Sequence, residues 1–138
     1  MSDHFGCESC SGEDPVAVWA YYRGGLMEDI VLIDESHFLV SLRHCRDCGQ
    51  PFVWIFTEEV DLVGGNDPQF RMIVPVNPDE ARALADSGDG PDLGGIGALG
   101  EGRRFLAIDW PADAQEARVF WRRGRFALRD GHGDGPGD

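Results

Sequence analysis

The sequence contains no lysine, so arginine supplies all twelve positive charges against 25 acidic residues. The formal net charge is −13 at pH 7. Residues 1–100 carry 18 acids and 5 arginines and therefore hold all of this net charge, whereas residues 101–138 carry 7 of each. A negative field of this size repels phosphate backbones and anionic lipid headgroups. We therefore expect neither nucleic acid nor a membrane as a partner.

Long hydrophobic runs are also missing. No stretch approaches the roughly 18 apolar residues that a transmembrane helix needs, and the N-terminal MSDHFGCESC lacks the basic and apolar regions of a secretory signal. These absences predict a cytoplasmic protein. Because cytoplasmic thiols stay reduced, its four cysteines are expected to bind a metal rather than to form disulfides.

Familiar catalytic motifs are absent as well, since the chain has no H-E-x-x-H, G-x-S-x-G or Walker sequence. Gly95-Ile-Gly-Ala-Leu-Gly100 matches G-x-G-x-x-G, but no strand precedes it, and we expect residues 86–102 to form a mobile loop. The acids Glu58, Glu59, Asp61 and Asp67 offer paired carboxylates. The sequence does not decide whether the protein is an enzyme, although a non-enzymatic role fits these absences better.

The cysteines that are present form two Cys-x-x-Cys pairs, Cys7 with Cys10 and Cys45 with Cys48. Two cysteines at i and i+3 on a tight turn can bind one ion, and two such turns complete a tetrahedral sulfur shell with no open position. This pattern predicts a structural Zn²⁺ site on all four cysteines. Gly49 is expected to close the second turn with a positive φ. In a variant of this site, His4 or His44 replaces one sulfur.

The segments Cys7-Glu-Ser-Cys10 and Cys45-Arg-Asp-Cys48-Gly49 resemble the two knuckles of zinc ribbons and, more loosely, of rubredoxins. Both families hold zinc or iron with paired Cys-x-x-Cys turns on hairpins. The resemblance covers only these two segments. It implies a zinc-ribbon-like hairpin with bound Zn²⁺, and bound iron would instead imply a rubredoxin-like electron carrier. A thiol-redox role would favour a cysteine pair at a helix N-terminus, whereas Cys45 and Cys48 fall in a predicted hairpin.

That hairpin spans residues 37–57, where two runs of alternating apolar residues flank the second cysteine pair. Both faces of the two runs are apolar, which predicts a central element packed on two sides. We expect a ladder that places six side chains on one face by pairing Leu42 with Phe52, Val40 with Trp54 and Phe38 with Phe56.

Further strands are expected at residues 29–33, 71–76, 104–110, 118–122 and 125–129, the last two joined as a hairpin that pairs Trp121 with Phe126. A short helix is expected at residues 78–86, after Asn77-Pro78. Residues 15–25 combine helix-capping signals with strand-forming aromatics, and we favour a strand. The predicted fold class is α+β, a mostly antiparallel sheet with a zinc-ribbon-like hairpin and one short helix. A single domain is expected over residues 1–129, with a disordered tail at 130–138.

Together these features predict a small zinc-binding protein that acts as an acidic protein-interaction or regulatory module. The expected partner is a basic protein that binds the acidic surface of residues 58–67. The alternatives are a rubredoxin-like iron electron carrier and a small enzyme that uses the acids of the same segment. The sequence does not indicate an oligomeric state.

Overall fold

A six-stranded antiparallel sheet forms the centre of the computed structural model, which describes residues 6–58, 69–87, 92–110 and 117–126. Each strand pairs with the next strand in sequence. The strands are β1 (Leu26–Glu35), β2 (Phe38–Cys45), β3 (Pro51–Glu58), β4 (Gln69–Pro75), β5 (Arg104–Trp110) and β6 (Arg118–Arg123). The helices in the described residues are α1 (Glu8–Ser11), α2 (Pro15–Gly25), α3 (Pro78–Asp86) and α4 (Leu93–Ala98). The predicted α+β class with a mostly antiparallel sheet is confirmed, and the described residues contain four helices where one was expected.

The sheet buries apolar side chains on both faces, as the central hairpin predicts. One face, called here the α3 face, packs Phe38, Val40 and Ile55 against α3 and α4. The other, called the cysteine face, packs Phe52 and Ile73 against α1 and α2. Because successive side chains of a strand point to opposite faces, β2 and β3 each supply residues to both cores.

The predicted register of the central hairpin is wrong by one residue. Val40 pairs with Ile55 and Leu42 with Val53, so Phe52 and Trp54 lie on the face opposite to Val40. The cause is the turn between the strands. The amide of Cys45 donates to the carbonyl of Gln50 at 2.9 Å, which leaves a four-residue turn over 46–49. A slip of one residue moves every side chain of a strand to the other face.

Residues 15–25 form helix α2, not the expected strand. The Asp14 side chain accepts a hydrogen bond from the Val16 amide at 3.1 Å, and Pro15 occupies the first helical position. These two residues set the start of the helix, and the helix then buries Val18 and Tyr22. Burial of that helical face outweighs the strand preference of the aromatic residues. Strand β1 follows directly at Leu26 and is longer than the predicted 29–33.

Helix α3 spans the predicted residues 78–86. The Asn77 side chain accepts from the Glu80 amide at 2.8 Å, and the Glu80 carboxylate accepts from the Asn77 amide at 2.9 Å. Arg103 donates to both carboxylate oxygens of Glu80, at 2.8 and 2.9 Å, which ties the helix to the start of β5. This ion pair, first among its causes, lowers the pKa of Glu80 below its usual value. The Asn77-Pro78 start signal is confirmed.

The predicted loop over residues 86–102 contains helix α4, whose Ile96 is buried on the α3 face. Two glycines of the G-x-G-x-x-G sequence lie against another backbone. Gly97 accepts a hydrogen bond from the Phe126 amide at 3.1 Å, and Gly100 accepts from the Gly124 amide at 2.9 Å. A Cβ on Gly97 would overlap the Phe126 carbonyl oxygen. These glycines therefore permit close packing of two chain segments.

The strands near the C-terminus agree with the sequence in part. β5 matches 104–110 and β6 contains 118–122, but β6 pairs with β5, placing Trp121 opposite Leu106. Phe126 is not in a strand and instead packs on Phe105, with the ring centroids 5.2 Å apart. The expected Trp121–Phe126 hairpin is therefore wrong. Residues 127–138, including the predicted tail, and residues 59–68 lie outside the described residues.

Candidate metal centre

The four cysteines predicted as ligands come together at one end of β2. Their sulfur atoms all lie within 4.8 Å of one another. Cys7 Sγ lies 3.8 Å from both Cys10 Sγ and Cys45 Sγ, and Cys10 Sγ lies 3.7 Å from Cys48 Sγ. A disulfide bond would need about 2.05 Å, and all four residues are free cysteines. The cluster is able to hold a metal ion.

These spacings fit one tetrahedral ion. Four sulfurs at the Zn–S distance of about 2.3 Å stand about 3.8 Å apart along each edge of the tetrahedron. The three measured edges, 3.7 to 3.8 Å, agree with that value. A Zn²⁺ or iron ion at the centre would have all four positions filled by this chain, with Cys7, Cys10, Cys45 and Cys48 as ligands.

The second knuckle is the tip of the β2–β3 hairpin. The Gly49 amide donates to the Cys45 carbonyl at 2.8 Å, and Gly49 has a φ of 83°, which confirms the predicted role of this glycine. Backbone amides within and after the turn donate to the sulfurs, those of Asp47 and Cys48 to Cys45 and that of Gln50 to Cys48. The turn thus stabilises thiolates as well as placing them.

The first knuckle is a single helical turn. Cys7 precedes helix α1 as its N-cap, and its amide donates to Cys10 Sγ at 3.3 Å. The preceding Gly6 has a φ of 89°, and a Cβ at this position would overlap Cys10 Sγ. Gly6 is therefore part of the cluster although it offers no ligand. The only sequence signal for it is a glycine directly before a cysteine pair.

Two side chains fasten the first knuckle to the sheet. The Tyr22 hydroxyl donates to the Cys10 carbonyl at 2.7 Å. Arg104 on β5 donates to the carbonyls of Ser11 and Gly12, at 3.0 and 3.1 Å, and its guanidinium lies 3.7 Å from the centre of the Trp121 ring. The first cysteine pair is thereby anchored to α2 and to β5 by contacts that need no metal.

The thiols differ in their electrostatic surroundings. Burial raises the pKa of the Cys10 thiol well above its ordinary value. Burial acts in the same sense on Cys45, but hydrogen bonds from the Tyr21 hydroxyl and the turn amides lower its pKa to about 7. Four crowded thiols cannot all ionise without a compensating cation, since each negative charge disfavours the next. A divalent cation would supply that compensation.

Tyr21 is a second residue that sequence reasoning missed. Its hydroxyl lies 3.0 Å from Cys45 Sγ and 3.0 Å from Asp47 Oδ2. Burial is the largest cause that raises the pKa of Tyr21, and the neighbouring Cys45 and Asp47 raise it further. The hydroxyl therefore keeps its proton. This single O–H proton can be donated either to the Asp47 carboxylate or to a Cys45 thiolate. The sequence does not predict this contact, because the strand expected at residues 15–25 would place Tyr21 differently from helix α2.

The other candidate residues lie away from the cluster or outside the described residues. His44 Nδ1 lies 2.9 Å from Asp29 Oδ1, and His44 is absent from the set of possible ligands. Glu58 Oε1 lies 3.0 Å from His37 Nδ1, and Glu58 Oε2 accepts from Gln69 at 3.1 Å. Outside the described part of the chain lie His4, Glu59, Asp61 and Asp67.

No helix in the described part of the chain is long and apolar enough to cross a membrane. Comparison with models of known protein families, with curated proteins and with solved structures finds no significant match. The fold and the cysteine cluster are therefore the observations from which function is argued.

Proposed function

We propose that Cys7, Cys10, Cys45 and Cys48 bind one Zn²⁺ as a structural site, and that the domain serves as an acidic protein-interaction or regulatory module of the cytoplasm. The observation that carries the metal site is the set of three sulfur–sulfur distances, which match three edges of a tetrahedral four-thiolate complex. A reducing compartment keeps such thiols available for the metal.

A structural role is supported by the closed ligand set. Four sulfur ligands leave no position for water or substrate, whereas catalytic zinc sites keep one position open. The ion would also join two parts of the chain that are distant in sequence, since Cys7 and Cys45 are 38 residues apart. Zinc at this point would hold α1 against the hairpin tip.

Iron is the second candidate because Cys48 is exposed. An exposed sulfur ligand would bring the edge of a redox-active metal complex to the protein surface, where an electron partner could approach. Fe(III) bound by thiolates absorbs visible light, whereas Zn²⁺ is colourless. The absorption spectrum of the protein as purified therefore separates the two functions.

The interaction role is supported by acidic residues at the end of the sheet opposite to the cysteines. Asp34 and Glu35 end β1 and are exposed, and Glu58 ends β3 nearby, where its amide donates to the His37 carbonyl at 2.9 Å. Further acids follow Glu58 in the sequence. Acidic side chains grouped in this way would attract and orient a basic protein.

The zinc assignment is tested by elemental analysis of the protein purified without added chelator. We expect about one zinc per chain, a loss of most of it in Cys45→Ser, and retention in Ser9→Ala, a control that alters the knuckle but no ligand. The Cys10→Ser variant should behave like Cys45→Ser. A protein that carries no metal and whose four thiols all react freely in the folded state would refute the site.

The partner is tested by capture experiments at low salt with the zinc-loaded protein as bait. An Asp34→Asn/Glu35→Gln variant should lose a basic partner or associate with it more slowly. A Glu13→Gln/Asp86→Asn variant changes the charge equally at other exposed positions and should not. Association should also slow as salt rises past about 0.15 M, where the screening length is about 8 Å. Equal capture by both variants and at high salt would contradict the acidic interface.

A further inference from the structure

Three arginines lie near one another on the cysteine face of the sheet. They are Arg23 at the end of α2, Arg43 on β2 and Arg71 on β4, and we call them the arginine patch. Residues 1–100 contain only five arginines, so most of the positive charge in the acidic part of the chain is gathered here. Charges that serve only solubility would be spread over the surface, so this grouping is unexpected for such a role.

Aromatic rings form the floor of the patch. The Arg43 guanidinium lies 4.0 Å from the centre of the Trp54 ring, and that of Arg71 lies 4.7 Å from the centre of the Phe56 ring. Arg23 lies 5.7 Å from the centre of the Trp19 ring, which in turn lies 5.6 Å from that of Trp54. Guanidinium groups held against ring faces keep their N–H edges free for an anion.

Arg43 is held in place from several sides. Its Nε donates to Ser41 Oγ at 3.2 Å, its terminal nitrogen lies 3.4 Å from Glu28, and its side chain is only 20 % exposed. A cation fixed before a ligand arrives loses little side-chain entropy on binding. The patch is therefore preorganised at Arg43 and more open at Arg23, which is exposed.

The charges of the patch are only partly compensated within the described part of the chain. Arg43 has Glu28, but no described carboxylate lies within 4 Å of the guanidinium of Arg23 or Arg71. Glu58 is near Arg71 and offsets part of its charge, although its two oxygens contact His37 and Gln69 rather than the guanidinium. Burial and the charges of Arg23 and Arg43 lower the pKa of Arg71. An anion placed between these groups would offset their repulsion.

We propose that the arginine patch binds the phosphate group of a small phosphate monoester. A phosphate monoester carries a charge of about −1.5 to −2 at pH 7, which matches the guanidiniums of Arg23 and Arg71, neither of which forms an ion pair with a described carboxylate. Its oxygens accept paired N–H donors in the forked geometry that arginine offers. A polyanion such as nucleic acid would meet the repulsion of a chain with a net charge of −13. This site lies on the cysteine face of the sheet and does not rest on the zinc assignment.

The test is a titration of the full-length protein, with its metal as purified, by phenyl phosphate at constant ionic strength. Heat of binding gives the affinity, and tryptophan fluorescence reports on Trp19 and Trp54 in the floor of the patch. We expect Arg23→Gln and Arg71→Gln each to weaken binding about tenfold or more, because each removes charged hydrogen bonds to the phosphate. Arg82→Gln is the matched control, since Arg82 is exposed on α3 and pairs with Asp79.

Two competing ligands identify the group that is recognised. Inorganic phosphate should displace phenyl phosphate, and benzoate, which has the ring but a single negative charge, should bind about tenfold more weakly or worse. The proposal is overturned if phenyl phosphate shows no saturable binding up to about 10 mM, the range of weak specific ligands. It is equally overturned if benzoate binds as well, if inorganic phosphate fails to compete, or if Arg82→Gln weakens binding as much as Arg71→Gln. Thermal unfolding of each variant establishes that it is folded.

Discussion

Two residues shape the cysteine cluster without offering a ligand atom. Gly6 has a backbone conformation that L side chains resist, and it leaves the space that Cys10 Sγ occupies. Tyr21 places a hydroxyl 3.0 Å from Cys45 Sγ. Outer groups of this kind commonly govern how tightly ligands hold a metal and at what pH they release it.

Gly6→Ala is expected to weaken metal binding and to destabilise the protein. The positive φ alone costs about 1–3 kcal/mol for a residue with a side chain, and the added methyl would push on Cys10 Sγ. Competition with a coloured chelator measures the affinity. Gly24→Ala is the control, because Gly24 is helical and a Cβ there would have no neighbouring atom within 4 Å. Alanine at this position should be neutral or stabilising. Equal behaviour of the two variants would contradict the role of Gly6.

Tyr21→Phe is expected to weaken metal binding about tenfold near neutral pH, the lower end of what outer-shell partners contribute. Burial opposes ionisation of Cys45, while the Tyr21 hydroxyl helps to lower its pKa to about 7. Without the hydroxyl that pKa rises, so protons compete with the metal up to a higher pH.

The gap in apparent affinity between Tyr21→Phe and the parent should therefore narrow above about pH 9, where an ordinary thiol ionises as well. Chelator competition at pH values from about 6 to about 10 measures this difference in apparent affinity. Tyr22→Phe is not a suitable control because Tyr22 is buried and donates to Cys10 O, whereas the exposed Ala20→Ser leaves the cluster untouched. A gap that stays constant over this range would show that the hydroxyl does not act through the ionisation of Cys45.

At the scale of elements, local signals decided what could be predicted. Asn77 and Glu80 cap each other, so the bounds of α3 were readable from the sequence. The start of α2 had equally good signals in Asp14 and Pro15, but its aromatics also suit a strand, and only packing against the sheet resolves that conflict. The register of the hairpin depends on whether three or four residues form the turn. The sequence pattern does not decide between the two, because both faces of the strands are apolar and either register buries apolar side chains.

Helix α4 provides a prediction about two glycines in the same element. A Cβ on Gly97 would overlap the carbonyl oxygen of Phe126, whereas a Cβ on Gly94 would meet its nearest atom at 3.5 Å. Gly97→Ala should therefore destabilise the protein by about 1–3 kcal/mol, the usual cost of overpacking. Gly94→Ala should be neutral or stabilise by up to about 1 kcal/mol through helix propensity. Denaturant unfolding of both variants measures the change in the free energy of unfolding. Similar small changes for the two variants would instead indicate a flexible loop at this position.

At the scale of the whole molecule, the cysteine cluster belongs to only one of the two cores. Cys10 and Cys45 belong to the core of the cysteine face, while the core of the α3 face contains no cysteine among its described residues. The clustering of the four cysteines could be predicted because their residue type and spacing are visible in the sequence. Arg104, which lies 93 residues after the Ser11 carbonyl that it contacts, could not, since nothing in the sequence relates the two positions.

Metal removal is therefore expected to loosen the core of the cysteine face and to leave the core of the α3 face folded. After chelation, amide hydrogen exchange should speed up in α1, in α2 and at the hairpin tip, whereas Val53 and Ile55 in β3 and Val74 in β4 should stay protected. A Cys7→Ser/Cys10→Ser variant should reproduce this pattern without chelator. Uniform loss of protection across the sheet would show that the metal supports the whole fold, as in small zinc fingers that unfold without metal.

The strand order, in which each strand pairs with its predecessor, also bears on the sequence of events during folding. Strands β1, β2 and β3 can pair one after another through short connections, which favours rapid assembly of this part of the sheet. The sulfurs of the two knuckles, by contrast, can meet only after helix α2 and the hairpin tip are in place, because Cys7 must reach across 38 residues to Cys45. Metal capture at the proposed site would then be the closing step of folding, so the ion would slow unfolding far more than it speeds refolding.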